Sequence, residues 1–254
     1  MKFLRYEDGG VARFGRLDGE VVVPLDAAPW NGGEPAGRPV PFDGLTLLPP
    51  VPPGGKVLCI GRNYLAHAKE LGNEVPAEPL VFLKPATSLL PHGGTVLLPP
   101  ESERVDFEGE LALVIGRRAR RVPREAFGEV VFGATPALDV SARDLQKKDG
   151  QWWRAKGFDT FCPCGPVVVE GLDAADVRLR TWLDGELRQD ARTSRMIFDL
   201  PVLVSWVSQA MTLEPGDLLL TGTPEGVGPL ADGQLLELEI EGIPRLSVKV
   251  AKER

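Results

Sequence analysis

Histidine and cysteine are scarce in this sequence of 254 residues, which contains two histidines and three cysteines. Three cysteines are too few for the disulfide framework of a small secreted protein, so a reducing compartment is expected. A metal site built mainly from histidine is excluded by number. An imidazole that acts as a general base must belong to His67 or His92.

Excess positive charge and long apolar runs are also absent. Lys and Arg together number 29 against 36 Asp and Glu, which gives a formal net charge of −7. Nucleic acids and anionic membranes are bound by cationic surfaces, so neither is expected as a partner. No apolar run approaches the ~18 residues of a membrane-spanning helix, and the charged N-terminus lacks the apolar core of a signal peptide. We therefore expect a cytoplasmic protein.

The first 50 residues predict a small β unit. Three short alternating segments are separated by Asp-Gly pairs at 8–9 and 18–19, which are typical of the turns of an antiparallel meander. The stretch 47–55 then carries four prolines in nine positions, a composition that excludes a helix or an interior strand. We expect a domain boundary near residue 50, with a small N-terminal β domain at 1–50 and a larger domain at 51–254.

The larger domain is predicted to be β-rich. Short β-rich runs dominate from residue 81 onward, and the one long helical pattern runs from Asp199 to Met211. A short helix is also predicted after residue 63, with Asn63 as its N-terminal cap and Gly72 at its end. The fold class indicated is α+β with more strand than helix.

The most informative segment is VDFEGELALVIG at 105–116. On a strand, Glu108 and Glu110 would share one face, with Cα atoms roughly 6.6 Å apart. Apolar residues follow on both faces, so the strand is expected to be buried. Two like charges on a buried strand need compensation, and a divalent cation is the simplest source of it. The alternative is an exposed strand end with solvated glutamates.

A cation held by two carboxylates requires a further oxygen ligand. Asp139 is the first candidate because its neighbours in sequence are apolar, and Asp106, Asp144 and Asp149 are alternatives with more polar neighbours. No histidine or cysteine lies close by in sequence, so an all-oxygen site favours Mg²⁺ or Mn²⁺ over zinc.

Two further patterns suggest chemistry. His67 and Glu70 stand three residues apart, so on a helix the carboxylate could orient the imidazole of a general base. Lys156 lies among aromatic residues, where its ammonium could be partly desolvated and meet an anionic oxygen. The alternatives are a solvated helix face for the first pair and a lysine that extends to solvent for the second.

Taken in order, seven segments resemble the fumarylacetoacetate hydrolase family, in its branch with a single small catalytic domain. They lie between about Lys56 and Lys249 and read GRNYLAHAKE, VFLKP, VDFEGELALVIG, ALDVSARDLQ, RAKGFDTFCPCGP, TSRMIFDLPVLVSWVSQAMTLEPGD and TGTPEGVG. The resemblance implies a mixed β-sandwich roll, a homodimer, and a lid, formed by the segment that bears His67 and Glu70, which becomes ordered when ligand binds. One departure from the family pattern is Gly109, which is smaller than the residue usual between the two glutamates.

The resemblance also assigns roles to residues. It implies Glu108, Glu110 and Asp139 as ligands of Mg²⁺ or Mn²⁺, and His67, Glu70 and Lys156 as the catalytic groups. It implies Arg62, Tyr64, Gln146 and Thr223 as contacts of a small 2-oxo acid substrate.

The chemistry implied is bond cleavage or rearrangement next to the 2-oxo group, through an enolate bound to the metal. Isomerisation or decarboxylation of the 2-hydroxyhepta-2,4-diene-1,7-dioate type, in aromatic catabolism, is the first reading. Hydrolysis of acylpyruvates and decarboxylation of oxaloacetate are alternatives. A module that binds a metal or keto acid without turnover, and a structural β protein, are alternatives from other classes.

Overall fold

The computed structural model describes residues 1–70, 72 and 74–253, and strands dominate it. Five strands lie in the first 50 residues: β1 Lys2–Asp8, β2 Val11–Asp18, β3 Val21–Leu25, β4 Val40–Pro41 and β5 Leu47–Leu48. The next ten are β6 Val57–Gly61, β7 Leu80–Lys84, β8 Leu89–Pro91, β9 Thr95–Leu98, β10 Val105–Phe107, β11 Gly109–Ile115, β12 Val131–Leu138, β13 Ser141–Ala142, β14 Cys162–Cys164 and β15 Val168–Glu170.

The last strands are β16 Arg178–Leu183, β17 Glu186–Arg192, β18 Leu218–Leu220, β19 Gly228–Pro229, β20 Leu235–Ile240 and β21 Leu246–Lys252. The α-helices are α1 Leu65–Glu70, α2 Phe127–Val130, α3 Arg143–Asp149, α4 Trp153–Gly157 and α5 Leu200–Ala210. Single 3-10 turns occur at Pro29–Asn31, Ala86–Ser88, Arg124–Ala126 and Thr193–Arg195. None of the helices in these ranges is long and apolar enough to cross a membrane.

The strands form three sheets with mixed pairing. The largest has 13 strands, and its main path runs β4-β3-β2-β1-β15-β12-β11-β18-β6-β7. A second sheet has the order β17-β16-β20-β21-β9, and a small third sheet has the order β13-β10-β19. Most pairs are antiparallel, but β18 with β6, β21 with β9 and β14 with β8 are parallel. The β-rich α+β class predicted from sequence is confirmed.

The N-terminal strands form the predicted meander and also extend the main sheet. β1, β2 and β3 pair antiparallel in order, and Asp-Gly turns join them. β1 also pairs with β15, so the hydrogen-bonded sheet continues from the first 50 residues into the rest of the chain.

β11 lies at the centre of the main sheet and is buried along its whole length. Its odd-numbered residues Leu111, Leu113 and Ile115 belong to the larger apolar core, while Ala112 and Val114 belong to a smaller core on the opposite side. Side chains alternate between the two faces of a strand, so one strand supplies both cores. The apolar character predicted for both of its faces is confirmed.

The expectation of one continuous strand over 105–116 is wrong, because the chain changes sheets at Glu108. β10 pairs with β13 and β19 in the small sheet, whereas β11 pairs with β12 and β18 in the main sheet. Glu108 is the residue between these two strands, so its backbone turns from one sheet to the other. Its position relative to Glu110 is therefore set by the junction between sheets and not by a regular strand repeat.

The long helix is confirmed, whereas the cap predicted for the short helix is wrong. Asp199 caps α5 by accepting a hydrogen bond from the Val202 N–H at 2.9 Å. The Asn63 side chain instead holds two distant segments together, through hydrogen bonds to the backbone of Phe198 and Thr221. Its amide is fully engaged there, and α1 begins only at Leu65.

Candidate active site

A cavity of about 250 Å³ lies where several strand ends meet α1, α3 and α4. Eight of the ten residues proposed from sequence line it: Arg62, His67, Glu108, Glu110, Asp139, Gln146, Lys156 and Thr223. The rest of the lining is Ile60, Gly61, Phe82, Arg143, Lys147 and Trp152.

Three buried carboxylates form the floor of this cavity. Glu108, Glu110 and Asp139 each offer one oxygen, and these oxygens lie within 4.8 Å of one another. The pairing of β11 with β12 sets Gly109 opposite Leu138, so Asp139 comes to lie beside Glu108. A hydrogen bond of 2.9 Å from the Asp139 N–H to the Glu108 carbonyl extends this pairing to the two acidic residues.

Two of the three carboxylates are paired with buried cations. The Lys156 Nζ lies 2.7 Å from Glu108 Oε2 and 2.5 Å from Asp139 Oδ2. Arg143 Nη2 donates to Glu108 Oε1 at 2.5 Å, and the Lys84 Nζ donates to Asp139 Oδ1 at 2.6 Å. Burial acts to raise the pKa of Glu108, but the charges of Arg143 and Lys156 outweigh it and hold that pKa well below its usual range.

Glu110 is the exception among the three. Its one hydrogen bond comes from the Gly222 N–H to Oε2 at 2.6 Å, and none of the described lysines or arginines pairs with it. Burial, together with the negative charges of Asp139 and Glu108, raises the pKa of the Glu110 carboxyl well above its usual range. Of the three carboxylates, Glu110 is the one that no cation among the described residues contacts directly, although the charge of Lys156 acts on it from a distance.

This arrangement fits a divalent cation. Three carboxylate oxygens within 4.8 Å of one another make an all-oxygen ligand set, which hard cations such as Mg²⁺ and Mn²⁺ prefer. Glu110 supplies the uncompensated charge that such an ion would neutralise. The neighbouring Lys156 adds a positive charge at the same wall of the cavity.

The other acidic candidates are engaged elsewhere. Asp106 accepts from the Arg143 Nε and from the Arg104 Nε, each at 2.9 Å. Asp144 accepts from the Ser102 hydroxyl at 2.6 Å, and Asp149 pairs with an arginine of α4 at 2.6 Å. None of them lines the cavity, so among the alternatives only Asp139 joins the two glutamates.

His67 and Glu70 lie on the same side of α1, as their spacing predicts. His67 is 4% exposed and lines the cavity, and its Nδ1 lies 3.5 Å from Glu70 Oε2. This contact is too long for a good hydrogen bond, and Nδ1 has no hydrogen-bond partner among the described residues. Burial lowers the pKa of His67, so the neutral imidazole is favoured near neutral pH.

Glu70 does not reach the cavity. Its carboxylate accepts from the Gly226 N–H at 3.1 and 3.2 Å and so joins α1 to the loop that carries Thr223. Glu70 is therefore placed behind His67, between the imidazole and this loop.

Lys156 is buried and does not extend to solvent. It is 2% exposed, and its Nζ lies 5.1 Å from the centroid of the Phe82 ring. Burial acts to lower its pKa, but Asp139 and Glu108 outweigh that effect and raise it, so the ammonium stays charged. The alternative reading of a surface lysine is excluded.

Of the four residues implied as substrate contacts, Tyr64 is the one that does not line this cavity. Arg62, Gln146 and Thr223 line the cavity. Tyr64 is buried and lines a separate cavity of about 370 Å³ together with Lys69. A β-bridge joins its backbone to Met196, and burial together with the negative charge of Glu110 raises the pKa of its hydroxyl.

The backbone at Arg62 is held in the left-handed region, with φ of +58°. A residue with a side chain pays a conformational cost there, and such positions concentrate at ligand sites. In this chain the unusual conformation occurs directly after β6, at the rim of the cavity.

Sequence reasoning assigned no role to four residues of the site. Arg143 and Lys84 hold Glu108 and Asp139, and both occur in segments that carried the family resemblance. Phe82 and Trp152 form an aromatic wall, with ring centroids 5.3 Å apart and planes at 73°. The place of Lys84 at the end of the β-rich run VFLK was a signal in the sequence, because a lysine carried into the interior by a strand needs a partner of opposite charge.

Two family models and a relative of known name match this chain. Residues 56–251 match the family described as Fumarylacetoacetate (FAA) hydrolase C-terminal, and residues 1–50 match one described as Rv2993c-like, N-terminal. The chain is 47% identical over 205 residues to a protein of Arabidopsis thaliana named oxaloacetate tautomerase FAHD1, mitochondrial. The match covers 78% of this chain and 92% of that protein.

Solved structures are similar over the whole chain. The crystal structure of 2-hydroxyhepta-2,4-diene-1,7-dioate isomerase from Mycobacterium marinum superposes with a TM-score of 0.92 at 42% identity, covering 100% of this chain and 99% of that one. Maleylpyruvate hydrolase from Sphingobium sp. SYK-6, in complex with manganese(II) and pyruvate, superposes with a TM-score of 0.83. Its identity is 31%, and the match covers 100% of both chains.

Proposed function

The chain belongs to the fumarylacetoacetate hydrolase family, and from this membership and the geometry of its cavity we propose an enzyme that acts on 2-oxo acids with a divalent cation. The observation that carries the proposal is the buried cluster of Glu108, Glu110 and Asp139, in which Glu110 lacks a cationic partner among the described residues. The manganese and pyruvate bound by the similar Sphingobium hydrolase support this choice of ligand chemistry.

When bound, Mg²⁺ or Mn²⁺ supplies Lewis-acid polarisation of the substrate's carboxylate and 2-oxo oxygens, an effect worth several kcal/mol. Glu108, Glu110 and Asp139 would hold it. Lys156 would add a positive charge near the substrate's oxygens, because its ammonium is anchored in the cavity by Glu108 and Asp139.

We propose that the substrate carries a second carboxylate. Arg62 and Lys147 line the cavity, and neither has a carboxylate within 4.0 Å among the described residues. These two cations lie in the same cavity as the acidic cluster, so they would bind the second carboxylate of a dianion. Gln146 is held by Arg143 Nη1 at 2.9 Å, which leaves its amide N–H groups to donate to a substrate oxygen.

His67 is proposed to move the proton. Its Nδ1 faces Glu70 at 3.5 Å, so a proton on Nδ1 would be stabilised by that carboxylate and Nε2 would be left as the acceptor. The burial of the ring keeps it neutral and able to accept a proton at neutral pH. Proton transfer at the carbon next to the 2-oxo group gives tautomerisation or isomerisation, our first choice. The same base acting on a water would give hydrolysis of an acylpyruvate.

A panel of substrates tests this proposal. Purified protein would be assayed with oxaloacetate, 2-hydroxyhepta-2,4-diene-1,7-dioate and acetylpyruvate, each with Mg²⁺, with Mn²⁺ and after treatment with a chelator. We expect cation-dependent conversion of a dianionic substrate. Absence of turnover with all three, in protein that binds Mn²⁺, would favour the alternative of a binding module without catalysis.

The two histidines of the chain offer a matched pair of variants. His67→Ala is expected to slow proton transfer by about 10²- to 10⁴-fold. His92→Ala is the control, because His92 lies outside the cavity and its Nδ1 accepts from the Ser247 N–H at 3.1 Å. Decarboxylation of oxaloacetate needs no base, so its survival in His67→Ala would separate the two reactions.

The assembly, pathway and compartment expected from the sequence belong to the same proposal. We propose a homodimer in the cytoplasm that serves aromatic catabolism. Light scattering tests the first point, since a dimer has twice the 27.5 kDa mass of one chain.

A further inference from the structure

The peptide groups of Gly109, between the two glutamates, are satisfied by side chains and not by a strand. β11 pairs with β18 from Ala112 to Val114 only, so this neighbour ends before it reaches Gly109. The Gly109 N–H donates to Gln189 Oε1 at 2.9 Å, and the Gly109 carbonyl accepts from the Thr223 hydroxyl at 2.9 Å. Buried peptide groups require such partners.

Gln189 closes these contacts into a ring. Its Nε2 donates to Thr223 Oγ1 at 2.8 Å and to the Pro224 carbonyl at 2.9 Å. Each hydrogen of the amide therefore has an acceptor and its oxygen has a donor, so a flipped amide would lose all three bonds. Gln189 is 1% exposed, belongs to β17 of the second sheet, and does not line the cavity.

The segment has little room to shift. A Cβ atom on Gly109 would lie 2.2 Å from Thr181 Oγ1 and 2.9 Å from Gln189 Oε1. On the loop that follows Thr223, a Cβ on Gly226 would lie 2.0 Å from the Arg188 carbonyl oxygen. The strand and the loop therefore both rest directly on β17 and its neighbour.

We infer that Gln189 is a positioning residue, which sets Glu108 and Glu110 on one side and Thr223 on the other through hydrogen bonds to the backbone between them. The inference rests on the proposed function for its consequence, since these three side chains line the cavity. The Gly222 N–H, which donates to Glu110 Oε2 at 2.6 Å, belongs to the same loop, so a displaced loop also releases Glu110.

The test compares Gln189→Met with Thr181→Val. Met keeps the length of the side chain but removes its three hydrogen bonds. Thr181 is the cross-strand neighbour of Gln189 and is equally buried, but its hydroxyl has no hydrogen-bond partner among the described residues. Thr181→Val thus makes a similar polar-to-apolar change at the same place without the loss of a bond.

We expect Gln189→Met to weaken Mn²⁺ binding, measured by calorimetry on folded protein, by about 10- to 100-fold, as is usual when the partners of metal ligands are removed. The value of kcat/KM should fall by a similar factor, and Thr181→Val should match the wild type in both. If Gln189→Met keeps the wild-type Mn²⁺ affinity and kcat/KM and loses only stability, the residue is purely structural and the inference is wrong.

Two further measurements cover the cases in which Gln189→Met does not fold or the wild-type protein has neither activity nor Mn²⁺ affinity. If Gln189→Met does not fold, Gln189→Asn retains the amide but is one methylene too short to reach both ends of the ring, and the same losses are expected. If wild-type protein neither turns over a 2-oxo acid nor binds Mn²⁺, the proposed function fails. The amide exchange of Gly109 then decides the inference: it should be at least tenfold faster in Gln189→Met, and an unchanged rate would overturn it.

Discussion

Replacement of Gly109 by alanine should disturb the acidic cluster through packing alone. The added Cβ would lie 2.2 Å from Thr181 Oγ1, 2.9 Å from Gln189 Oε1 and 3.0 Å from Leu238 Cδ1. An ordinary contact is 3.4–4 Å, so the strand or the side chains that it meets must shift, by more than 1 Å at Thr181. Glu108 and Glu110 flank this position, so any shift of the strand moves them with it.

The change in the free energy of unfolding follows from two opposing contributions, the packing of the folded state and the entropy of the unfolded chain. Forcing an extra methyl group into a well-packed core costs about 1 to 3 kcal/mol. Gly109 does not have a positive φ, so alanine also restricts the unfolded chain and recovers about 0.4 to 1 kcal/mol. We expect a net destabilisation of about 1 to 2 kcal/mol and a weaker affinity for Mn²⁺.

A double-mutant cycle with Thr181→Ala isolates the clash. This second change removes the oxygen that the new methyl group meets, and the lost hydroxyl makes no hydrogen bond to any residue that the structure describes. Urea unfolding of the four proteins should give a favourable coupling of about 1 kcal/mol between the two sites. Mn²⁺ affinity should recover partly in the double variant.

The reasoning is refuted if the two changes are additive within about 0.5 kcal/mol, the usual behaviour of independent sites. It is also refuted if Gly109→Ala has wild-type stability and wild-type Mn²⁺ affinity, because the contact with Thr181 would then be absent in solution.

Three further predictions concern single charges. Glu110→Gln should abolish Mn²⁺ binding. In urea unfolding, the chelator-treated variant should be at least as stable as wild type, because the amide oxygen still accepts the Gly222 N–H and a buried charge is removed. A large loss of stability would contradict this prediction. The pKa of His67 is lowered by burial, so kcat/KM should persist below pH 6.5 and fall only at more acidic pH, and a decline that begins above pH 7 would argue against His67 as the base. The pKa of Glu239 is lowered by its hydrogen bond with Arg245; burial opposes this shift, and a second hydrogen bond with Arg180 adds to it. The ion pairs of Glu239 therefore stabilise the folded state above pH 4.5, and this stabilisation is lost as the pH falls through the pKa of the folded state. Glu239→Gln should therefore cost about 1 kcal/mol or less at pH 7 and progressively less as the pH falls below 4.5, measured by urea unfolding; a cost that does not change with pH would exclude the ionic explanation.

The sequence by itself was sufficient for features that depend on short periods. The alternation at 111–115 predicted a strand buried on both faces, and the spacing of His67 and Glu70 placed both on one side of a helix. The pattern at 105–116 indicated Glu108 and Glu110, the apolar neighbours of Asp139 made it the first of four candidates for the third carboxylate, and the family resemblance implied the set that meets in the cavity. These features could be predicted because the direction of side chains repeats every 2 residues in a strand and every 3.6 residues in a helix.

Only the tertiary structure decided how the cluster is compensated and held. Lys84 meets Asp139 across 55 residues of sequence, Arg143 meets Glu108 across 35, and Gln189 meets Gly109 across 80. Such contacts depend on which strands pair and in what register, and a shift of one residue would turn Lys84 or Gln189 to the opposite face of its sheet. Local patterns do not contain that information, because the register is fixed by the packing of the whole chain.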